Sequence, residues 1–489
     1  MTLHIPFDNT YAALPPVFYT KQAPVPVKAP ELLAYNAALG AELGIVPGEA
    51  SGEAADQAEQ AELAEIFAGN HVPEGSDPLA QLYAGHQFGN YNPQLGDGRA
   101  ILLGEVVGTG GQRRDIQLKG SGRTPYSRGG DGRAWLGPVL REYVVSEAMH
   151  SLGISTTRAL AAVATGELVW REQGGLPGAV LTRVASSHLR VGTFQIFAAR
   201  GEQAALRQLT EYAIQRHYPE ADGPMGLLRA VRDRQSELIA AWMSVGFIHG
   251  VMNTDNSSIS GETIDYGPCA FMDVYHPSTV FSSIDRMGRY AYSNQPDIGV
   301  WNLAQLATAL IQGSEDPQAM VEEATEIVHA MPALTEAAWL RRFGAKIGIA
   351  EATREDMPLI TDLMQRMAAG QADFTNTFRA LVDAVDSDAA SARAQFLDPE
   401  AFESWATDWR ARLEREADPA AVMAAANPVY IPRNHRIEAM IEAAVAGDMA
   451  PFERLNAVLS DPFTVQPDAE DLRRPPAKHE VVAATFCGT

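Results

Sequence analysis

The segment 249–267 constrains the fold most strongly, because it carries polar residues in the pattern of a metal-binding loop. Asn256 directly follows Asp255, and Asp265 comes nine positions after Asn256, just before Tyr-Gly. This spacing fits two short extended segments that fold back through a turn at Gly261, which would set Asn256 beside Asp265. Amide and carboxylate oxygens are the ligands that Mg²⁺ prefers. The alternative is ordinary turn chemistry, in which both motifs merely end loops.

The composition is that of a globular chain with more than one core. The chain has 489 residues, 46% of them hydrophobic, which corresponds to about three domains. Its net charge of −23 argues against nucleic acid as a partner, so phosphate binding would require a local basic site. No apolar run approaches the roughly 18 residues of a membrane span, and the first residues do not resemble an export signal. We therefore expect a cytoplasmic protein with no membrane partner.

Local patterns divide the chain into a mixed part followed by a helical part. Residues 1–75 combine proline-rich stretches with a helical stretch between 51 and 67. Next, glycine-rich turns separate short apolar runs, which is typical of strands, whereas helical spacing dominates from about residue 206. The predicted elements are a hairpin of 99–107 with 112–119, a helix over 136–152, strands over 159–163, 167–171 and 179–184, and helices over 227–247 and 301–311.

The order of hairpin, helix and further strands is that of the small lobe of a protein kinase. In such a lobe a strand lysine contacts nucleotide phosphates, and a carboxylate on the helix holds that lysine. Lys119 ends the predicted hairpin, and Glu142 is its candidate partner. Glu147 is the competitor, but five residues along a helix turn it about 140° away. The alternative for Lys119 is a solvated lysine at a strand end.

Two glycine-rich stretches and two arginines are candidates for phosphate binding. Loops such as 89–99 and 120–133 can bring backbone N–H groups against phosphate, although most glycine-rich turns are only turns. Arg183 and Arg190 flank a segment that would link the two lobes. A guanidinium can bind two phosphate oxygens at once, which makes both arginines candidate phosphate ligands. The alternative is that they are ordinary surface arginines, which are common.

The residue that kinases use as a base is missing from the segment 249–267. Kinases place an aspartate shortly after a histidine in the catalytic loop, but His249 is followed by Gly250 and Val251. Conventional phosphotransfer therefore lacks its base. The chain would either bind nucleotide without turnover, as a scaffold, or perform different chemistry with Asp255 as the proton acceptor.

Several long motifs occur in order along the chain. They are Tyr83-Ala-Gly-His-Gln-Phe-Gly89, Gly96-Asp-Gly-Arg99, Gln117-Leu-Lys119-Gly-Ser-Gly, Ser127-Arg-Gly-Gly-Asp131-Gly132-Arg, His249-Gly-Val-Met-Asn-Thr-Asp255-Asn256 and Ile264-Asp265-Tyr-Gly. With these motifs the chain resembles the selenoprotein O family, whose members are protein adenylyltransferases built on a pseudokinase fold.

This resemblance implies an α+β, protein-kinase-like bilobal fold, with a small β-rich lobe that holds one key helix, a large helical lobe, and N- and C-terminal extensions. The predicted parts are an extension over 1–75, a small lobe over 76–205, a large lobe over 206–400, and a helical extension with a tail over 401–489.

The resemblance also implies an activity and a role for each matching residue. AMP would move from ATP to Ser, Thr or Tyr hydroxyls of protein substrates, with the nucleotide inverted relative to kinases, and we expect a monomer. Asn256 and Asp265 would hold Mg²⁺, or Mn²⁺ in its place, while Glu142 would position Lys119 and Asp255 would accept the proton. The residues implied to bind ATP are Gly96, Gly98, Arg99, Lys119, Asp131, Gly132, Arg183, Arg190 and Asp265.

The two cysteines stand near the candidate site and at the end of the chain. Cys269 lies two residues beyond Asp-Tyr-Gly, and Cys487 is third from the end. Two cysteines are too few for a disulfide framework in a chain of this size. Their placement fits either two unrelated thiols or a reversible bridge. The resemblance favours the bridge, because cysteine-containing relatives are reported to form a regulatory disulfide at matching positions.

Overall fold

The computed structural model describes residues 3–46, 53–172, 174–314, 316–385 and 389–486. It is a mixed α/β structure. Its strands are β1 Tyr19–Lys21, β2 Glu31–Tyr35, β3 Leu79–Gln81, β4 Gly85–Gln87, β5 Asn90–Asn92, β6 Ala100–Val107, β7 Arg113–Lys119, β8 Ala134–Trp135, β9 Arg158–Arg171, β10 Gly174–Ala185, β11 Phe247–Ile248 and β12 Ala270–Phe271. Its helices are α1 Ala37–Glu42, α2 Glu53–Ala68, α3 Leu136–Ser151, α4 Val191–Ala199, α5 Gln203–His217, α6 Gly223–Ser244, α7 Gln295–Gln312, α8 Pro317–Lys346, α9 Met357–Ala369, α10 Phe374–Ala384, α11 Ala390–Arg393, α12 Pro399–Leu413, α13 Pro419–Ala426, α14 Asn434–Val445, α15 Ala450–Leu459 and α16 Glu470–Arg473.

One antiparallel sheet organises the first half of the chain. Its strand order is β1-β3-β6-β7-β10-β9-β2, and β8 pairs with β10. The predicted hairpin is confirmed as β6 and β7, in a register that sets Ala100 opposite Lys119. Both edge strands, β1 and β2, come from residues 1–75, so this segment is part of the sheet.

Alternating side chains let the sheet form a core on each face. Along β10, Val180 and Val184 pack into a core with α2, whereas Ala179 and Leu181 pack into the larger core that contains α3. Successive strand residues point to opposite faces, so a strand covered on both sides is apolar throughout. The sheet therefore lies between α2 and α3, and α3 carries Glu142 towards the end of β7.

The prediction of three strands between 159 and 184 is wrong. The structure has two long strands, because β9 runs through Gly166 without a break. Gly166 has a φ of +67°, and the pairing of β9 with β10 shifts between Pro177 and Ala179. The glycine thus forms a bulge that bends the strand and does not end it.

The rest of the described chain is mainly helical, as the spacing predicted. The helix predicted over 136–152 is confirmed as α3, and Gly153 follows it with a φ of +73°. The helix predicted over 227–247 is confirmed as α6, although it runs from Gly223 to Ser244 and Phe247 begins β11. The helix predicted over 301–311 begins earlier, at Gln295, because a proline in its first turn and Asp297 favour a helix start there.

Lys346, at the end of α8, is buried in the helical part of the protein. Its Nζ donates to Asn427 Oδ1 at 2.8 Å and lies 4.4 Å from the ring centroid of Phe378. Burial lowers the pKa of Lys346 to about 7, from an ordinary value of 10.5. A charged ammonium at this position therefore destabilises the folded state.

We predict that Lys346 makes stability rise with pH. Between pH 7 and 10.5 the unfolded chain keeps a proton that the folded chain has lost, so the free energy of unfolding should increase by up to a few kcal/mol across this window. Lys346→Met should flatten this part of the pH dependence, measured by chemical denaturation. The exposed Lys28 gives a matched control, Lys28→Met. Equal slopes in wild type and Lys346→Met would contradict the prediction.

Candidate active site

A cavity of about 850 Å³ opens between the glycine-rich loops of the sheet and the segment 249–267. It gathers positions that are far apart in the sequence. The predicted site residues that line it are Gly96, Gly98, Arg99, Lys119, Asp131, Gly132, Glu142, Arg183, Arg190, Asp255, Asn256 and Asp265.

Lys119 lies between two carboxylates at the base of the cavity. Its Nζ is 2.6 Å from Glu142 Oε2 and 2.6 Å from Asp265 Oδ1. Glu147 points elsewhere and pairs with Arg158 at 2.7 Å, as the helical angle between the two glutamates indicated. A strand lysine is thus fixed both by a helix carboxylate and by the segment 249–267.

Arg183 completes this buried ion-pair cluster from the neighbouring strand. Its Nη2 is 2.5 Å from Glu142 Oε1 and 3.0 Å from Asp265 Oδ1. Arg183 stands opposite Gln117 in the pairing of β10 with β7, which brings its side chain beside Lys119. Two cations therefore share two carboxylates, and each charge has partners that offset its desolvation.

Asp265 is ionised in this environment. Burial would raise its pKa, but Lys119 and Arg183 together hold the pKa well below its usual range. Its backbone has a φ of +69°, a conformation that costs energy in a residue other than glycine. This conformation is found at the carboxylate that the sequence marks as a metal ligand.

Asp255 lies in a different environment from Asp265. Burial raises the pKa of Asp255 to about 6, although a hydrogen bond from Gln87 partly opposes this. Gln87 Nε2 donates to Asp255 Oδ2 at 3.0 Å. Within the described part of the chain, Asp255 Oδ1 is buried and has no hydrogen-bond partner. A carboxylate with one unpaired oxygen and a pKa close to neutrality is suited to accept a proton.

The two predicted metal ligands reach the cavity without forming the expected hairpin. Asn256 ends a short 3-10 turn, Thr254–Asn256. Ser258 then forms a bridge with Arg190, and Thr263 forms one with Thr156. The prediction that 256 and 265 pair through a turn at Gly261 is therefore wrong, because each arm finds a partner outside the segment.

The donor atoms of Asn256 and Asp265 fit a hard divalent cation. Asn256 Nδ2 donates to Val251 O at 3.0 Å, which fixes the amide, and Asp265 is ionised. No group of three or more His, Cys, Asp or Glu side chains that could hold a metal occurs among the described residues. Mg²⁺ commonly uses one or two protein ligands together with substrate phosphates and water. Two protein donors of this kind would leave the other coordination positions to phosphate oxygens and water.

The glycine-rich loops pack so closely that a side chain would not fit. Gly96 has a φ of +76°, and a Cβ there would lie 2.5 Å from Tyr126 Cγ. Gly132 has a φ of +71°, and its Cβ would lie 2.2 Å from the carbonyl carbon of Gly122. Both positions require glycine, and they bring backbone close to the cavity.

Arg190 and Asp131 are engaged by other groups of the protein. The guanidinium of Arg190 lies 4.5 Å from the ring centroid of Tyr83, and its Nη1 donates to Asp255 O at 2.8 Å. Asp131 Oδ2 accepts from Arg171 Nη1 at 2.8 Å. Arg190 thus connects the cavity wall to the backbone of the candidate base.

Sequence reasoning assigned no role to several residues that line the cavity, among them Asp97, Tyr83 and Gln87. Asp97 lies between two predicted glycines, is buried, and is 4.0 Å from Arg190. Because it is a charged residue between two glycines of a candidate phosphate loop, Asp97 could have been predicted as a site residue. Tyr83 and Gln87 gave no such signal, since they reach Arg190 and Asp255 from distant parts of the sequence.

Comparison with known proteins identifies the family. The family model described as "Protein adenylyltransferase SelO" matches residues 1–460. The chain belongs to the SelO protein adenylyltransferase family. It is therefore a member of a protein nucleotidyltransferase family, as the motifs indicated.

Similar proteins match over the full length of the chain. A protein nucleotidyltransferase YdiU of Ruegeria sp. (strain TM1040) is 73% identical, with 100% of both chains covered. Proteins of the same name from Ruegeria pomeroyi and Bradyrhizobium diazoefficiens are 71% and 56% identical, again with 100% of both chains covered. Among the described residues, no helix combines the length and the apolar composition that crossing a membrane requires.

Proposed function

We propose that this protein transfers AMP from ATP to Ser, Thr or Tyr hydroxyls of protein substrates. The observation that carries the proposal is that Asp255, with one unpaired oxygen, lines the same cavity as the Lys119–Arg183 cluster. Val251 occupies the place where kinases have a catalytic aspartate. The site thus combines features of a nucleotide site with a base in a different place from that of a kinase.

The proposed nucleotide lies inverted relative to its orientation in kinases. Its terminal phosphates would contact Lys119, Arg183 and Arg190, three cations that line the cavity. The glycine-rich loops and Arg99 would contact the remainder of the nucleotide. This orientation would leave the α-phosphate towards Asp255, where an acceptor hydroxyl can approach.

Asp255 is the proposed proton acceptor for the transfer step. The acceptor oxygen forms a bond to the α-phosphorus while the bond from that phosphorus to the bridging oxygen of the β-phosphate breaks. The hydroxyl proton passes to the carboxylate of Asp255, and pyrophosphate leaves with the bridging oxygen. Lys119 and Arg183 would hold the leaving pyrophosphate, because preorganised cations stabilise charge that develops on phosphate oxygens.

Asn256 and Asp265 are the proposed ligands of Mg²⁺, or of Mn²⁺ in its place. When bound, such an ion supplies positive charge to the phosphates. Asn256 is held by Val251 O and Asp265 by Lys119 and Arg183, so both ligands are fixed before the nucleotide arrives.

The arrangement also supports the kinase-like fold proposed for the chain. The antiparallel sheet, the Lys119–Glu142 pair and the helical remainder are the features expected of small and large lobes. The proposed boundaries remain 76–205 for the small lobe and 206–400 for the large lobe, with extensions over 1–75 and 401–489.

We also propose that Cys269 and Cys487 form a reversible disulfide. Cys487 lies outside the described residues, but Thr485 pairs with Ser282 and its hydroxyl donates to Pro268 O at 2.5 Å. The chain thus reaches the neighbour of Cys269 two residues before Cys487. Cys269 is buried, and burial raises the pKa of its thiol to about 12, so it is protonated at neutral pH.

ATP labelled in either the α- or the γ-phosphate tests the reaction. We expect label from the α position alone on the protein itself or on casein, which exposes Ser, Thr and Tyr hydroxyls. Label from the γ position alone would indicate conventional kinase chemistry. Nucleotide binding without either label would indicate a catalytically inactive scaffold.

The assignment of Asp265 predicts a severe loss of transfer in Asp265→Ala. Removing a metal ligand that also holds Lys119 should lower the rate about 100-fold or more. Asp362→Ala, which removes an exposed carboxylate paired with Arg366, is the control and should retain wild-type activity. Undiminished transfer in Asp265→Ala would overturn the site assignment.

The thiol proposal predicts one intramolecular disulfide after mild oxidation. Intact mass with alkylation should show no free thiol in oxidised wild type and one in Cys487→Ser. Two alkylated thiols in oxidised wild type would contradict the bridge.

A further inference from the structure

Gln87 holds the carboxylate of Asp255 from a distant part of the chain. Its Nε2 donates to Asp255 Oδ2 at 3.0 Å, whereas Oδ1 is buried and has no hydrogen-bond partner within the described residues. Buried polar atoms nearly always have a partner, so an exception calls for a ligand or a function. One oxygen of this carboxylate is anchored by Gln87, and the other lies unpaired against Gly85.

Gln87 stands on a hairpin whose turn fixes its direction. It ends β4, which pairs with β5. The turn residues Phe88 and Gly89 have φ values of +51° and +83°. Two consecutive residues with positive φ are typical of the tight type I′ turn, whose twist matches that of the paired strands.

The same hairpin also donates backbone hydrogen bonds to the residues just before Asp255. His86 N donates to Thr254 Oγ1 at 2.7 Å, and Phe88 N donates to Asn253 Oδ1 at 3.1 Å. The hairpin thus contacts three consecutive residues, Asn253, Thr254 and Asp255. The donor group of Gln87 and its acceptor are held as one rigid unit.

Gly85 allows this close approach. A Cβ at Gly85 would lie 2.8 Å from Asp255 Oδ1 and 3.1 Å from Asp255 N. A larger residue would displace the carboxylate or its backbone. The hairpin is therefore shaped around Asp255.

We propose that Gln87 is a positioning residue for the AMP transfer, holding the carboxylate of Asp255 through Oδ2 in the orientation that meets the acceptor hydroxyl. The carboxylate torsion of an aspartate is broad, so a carboxylate without an anchor samples orientations in which neither oxygen is aligned. Alignment of the base with the hydroxyl determines the rate of proton transfer and leaves nucleotide binding unaffected. The inference rests on the proposed function.

Gln87→Met tests this role, because methionine is of similar length and has no donor. We expect the transfer rate at saturating ATP to fall about 10- to 100-fold, with the Kd for ATP within about twofold of wild type and the melting temperature unchanged. Gln208→Met is the matched control, since Gln208 is exposed on α5 outside the cavity and the variant should transfer AMP at the wild-type rate. If Gln87→Met does not fold, Gln87→Glu keeps the shape and should show the same loss of rate.

A double-mutant cycle separates positioning from an independent contribution. With Asp255 replaced by Asn, adding Gln87→Met should cause no further loss, because the base that Gln87 orients is absent. A further loss as large as that in the wild-type background would overturn the proposal. A rise in the Kd for ATP that accounts for the lost activity would also overturn it, since Gln87 would then act on the nucleotide.

The two proposals fail in different ways. If the wild-type protein transfers no AMP, the proposed function fails and this inference fails with it. If the wild type transfers AMP and Gln87→Met transfers it at the same rate, only the role of Gln87 is overturned.

Discussion

The paired charges of Lys119, Arg183, Glu142 and Asp265, of which Arg183 and Glu142 are buried, are the interaction on which the rest of the site depends. They come from β7, β10, α3 and the segment 249–267, so one cluster joins the sheet, its helix and the helical part of the chain. Moving a charge out of water costs several kcal/mol, and only a full set of partners offsets this cost. The cluster is therefore stable only when all four elements are in place, which couples the shape of the cavity to the fold.

The same cluster determines how the cavity can hold an anion. Its two cations are matched by two carboxylates, so it offers a triphosphate little surplus positive charge, and the protein as a whole carries −23. A bound divalent cation would add the charge that the cluster lacks. In the proposed site, much of the favourable charge would therefore arrive with the nucleotide, which would allow so acidic a protein to bind phosphate.

The sequence was sufficient for those features that follow local rules. The β6–β7 hairpin, α3 and the choice of Glu142 over Glu147 depend on alternation, helical angle and turn residues, and each agrees with the structure. The number of strands between 159 and 184 could not be predicted from the sequence. A glycine such as Gly166 can either end a strand or form a bulge, and the strand that pairs with it determines which of the two occurs.

The remaining incorrect or absent predictions concern contacts between residues that are far apart in the sequence. The segment 256–265 pairs with Arg190 and Thr156 and not with itself, and no pattern within the segment encodes those partners. Gln87 belongs to a quoted motif, yet its chemistry becomes apparent only when the hairpin is placed against Asp255.

The strand order has a consequence for the solubility of shortened forms of the protein. Both edges of the main sheet are covered by short strands from the first 35 residues, β1 against β3 and β2 against β9. Removing these residues would leave every residue of the cavity in the chain, but it would replace the edge strand β2, of 5 residues, with β9, of 14 residues, whose backbone N–H and C=O groups would then be unpaired along one side. Such edges pair with other chains, so the amino-terminal residues protect the protein from aggregation.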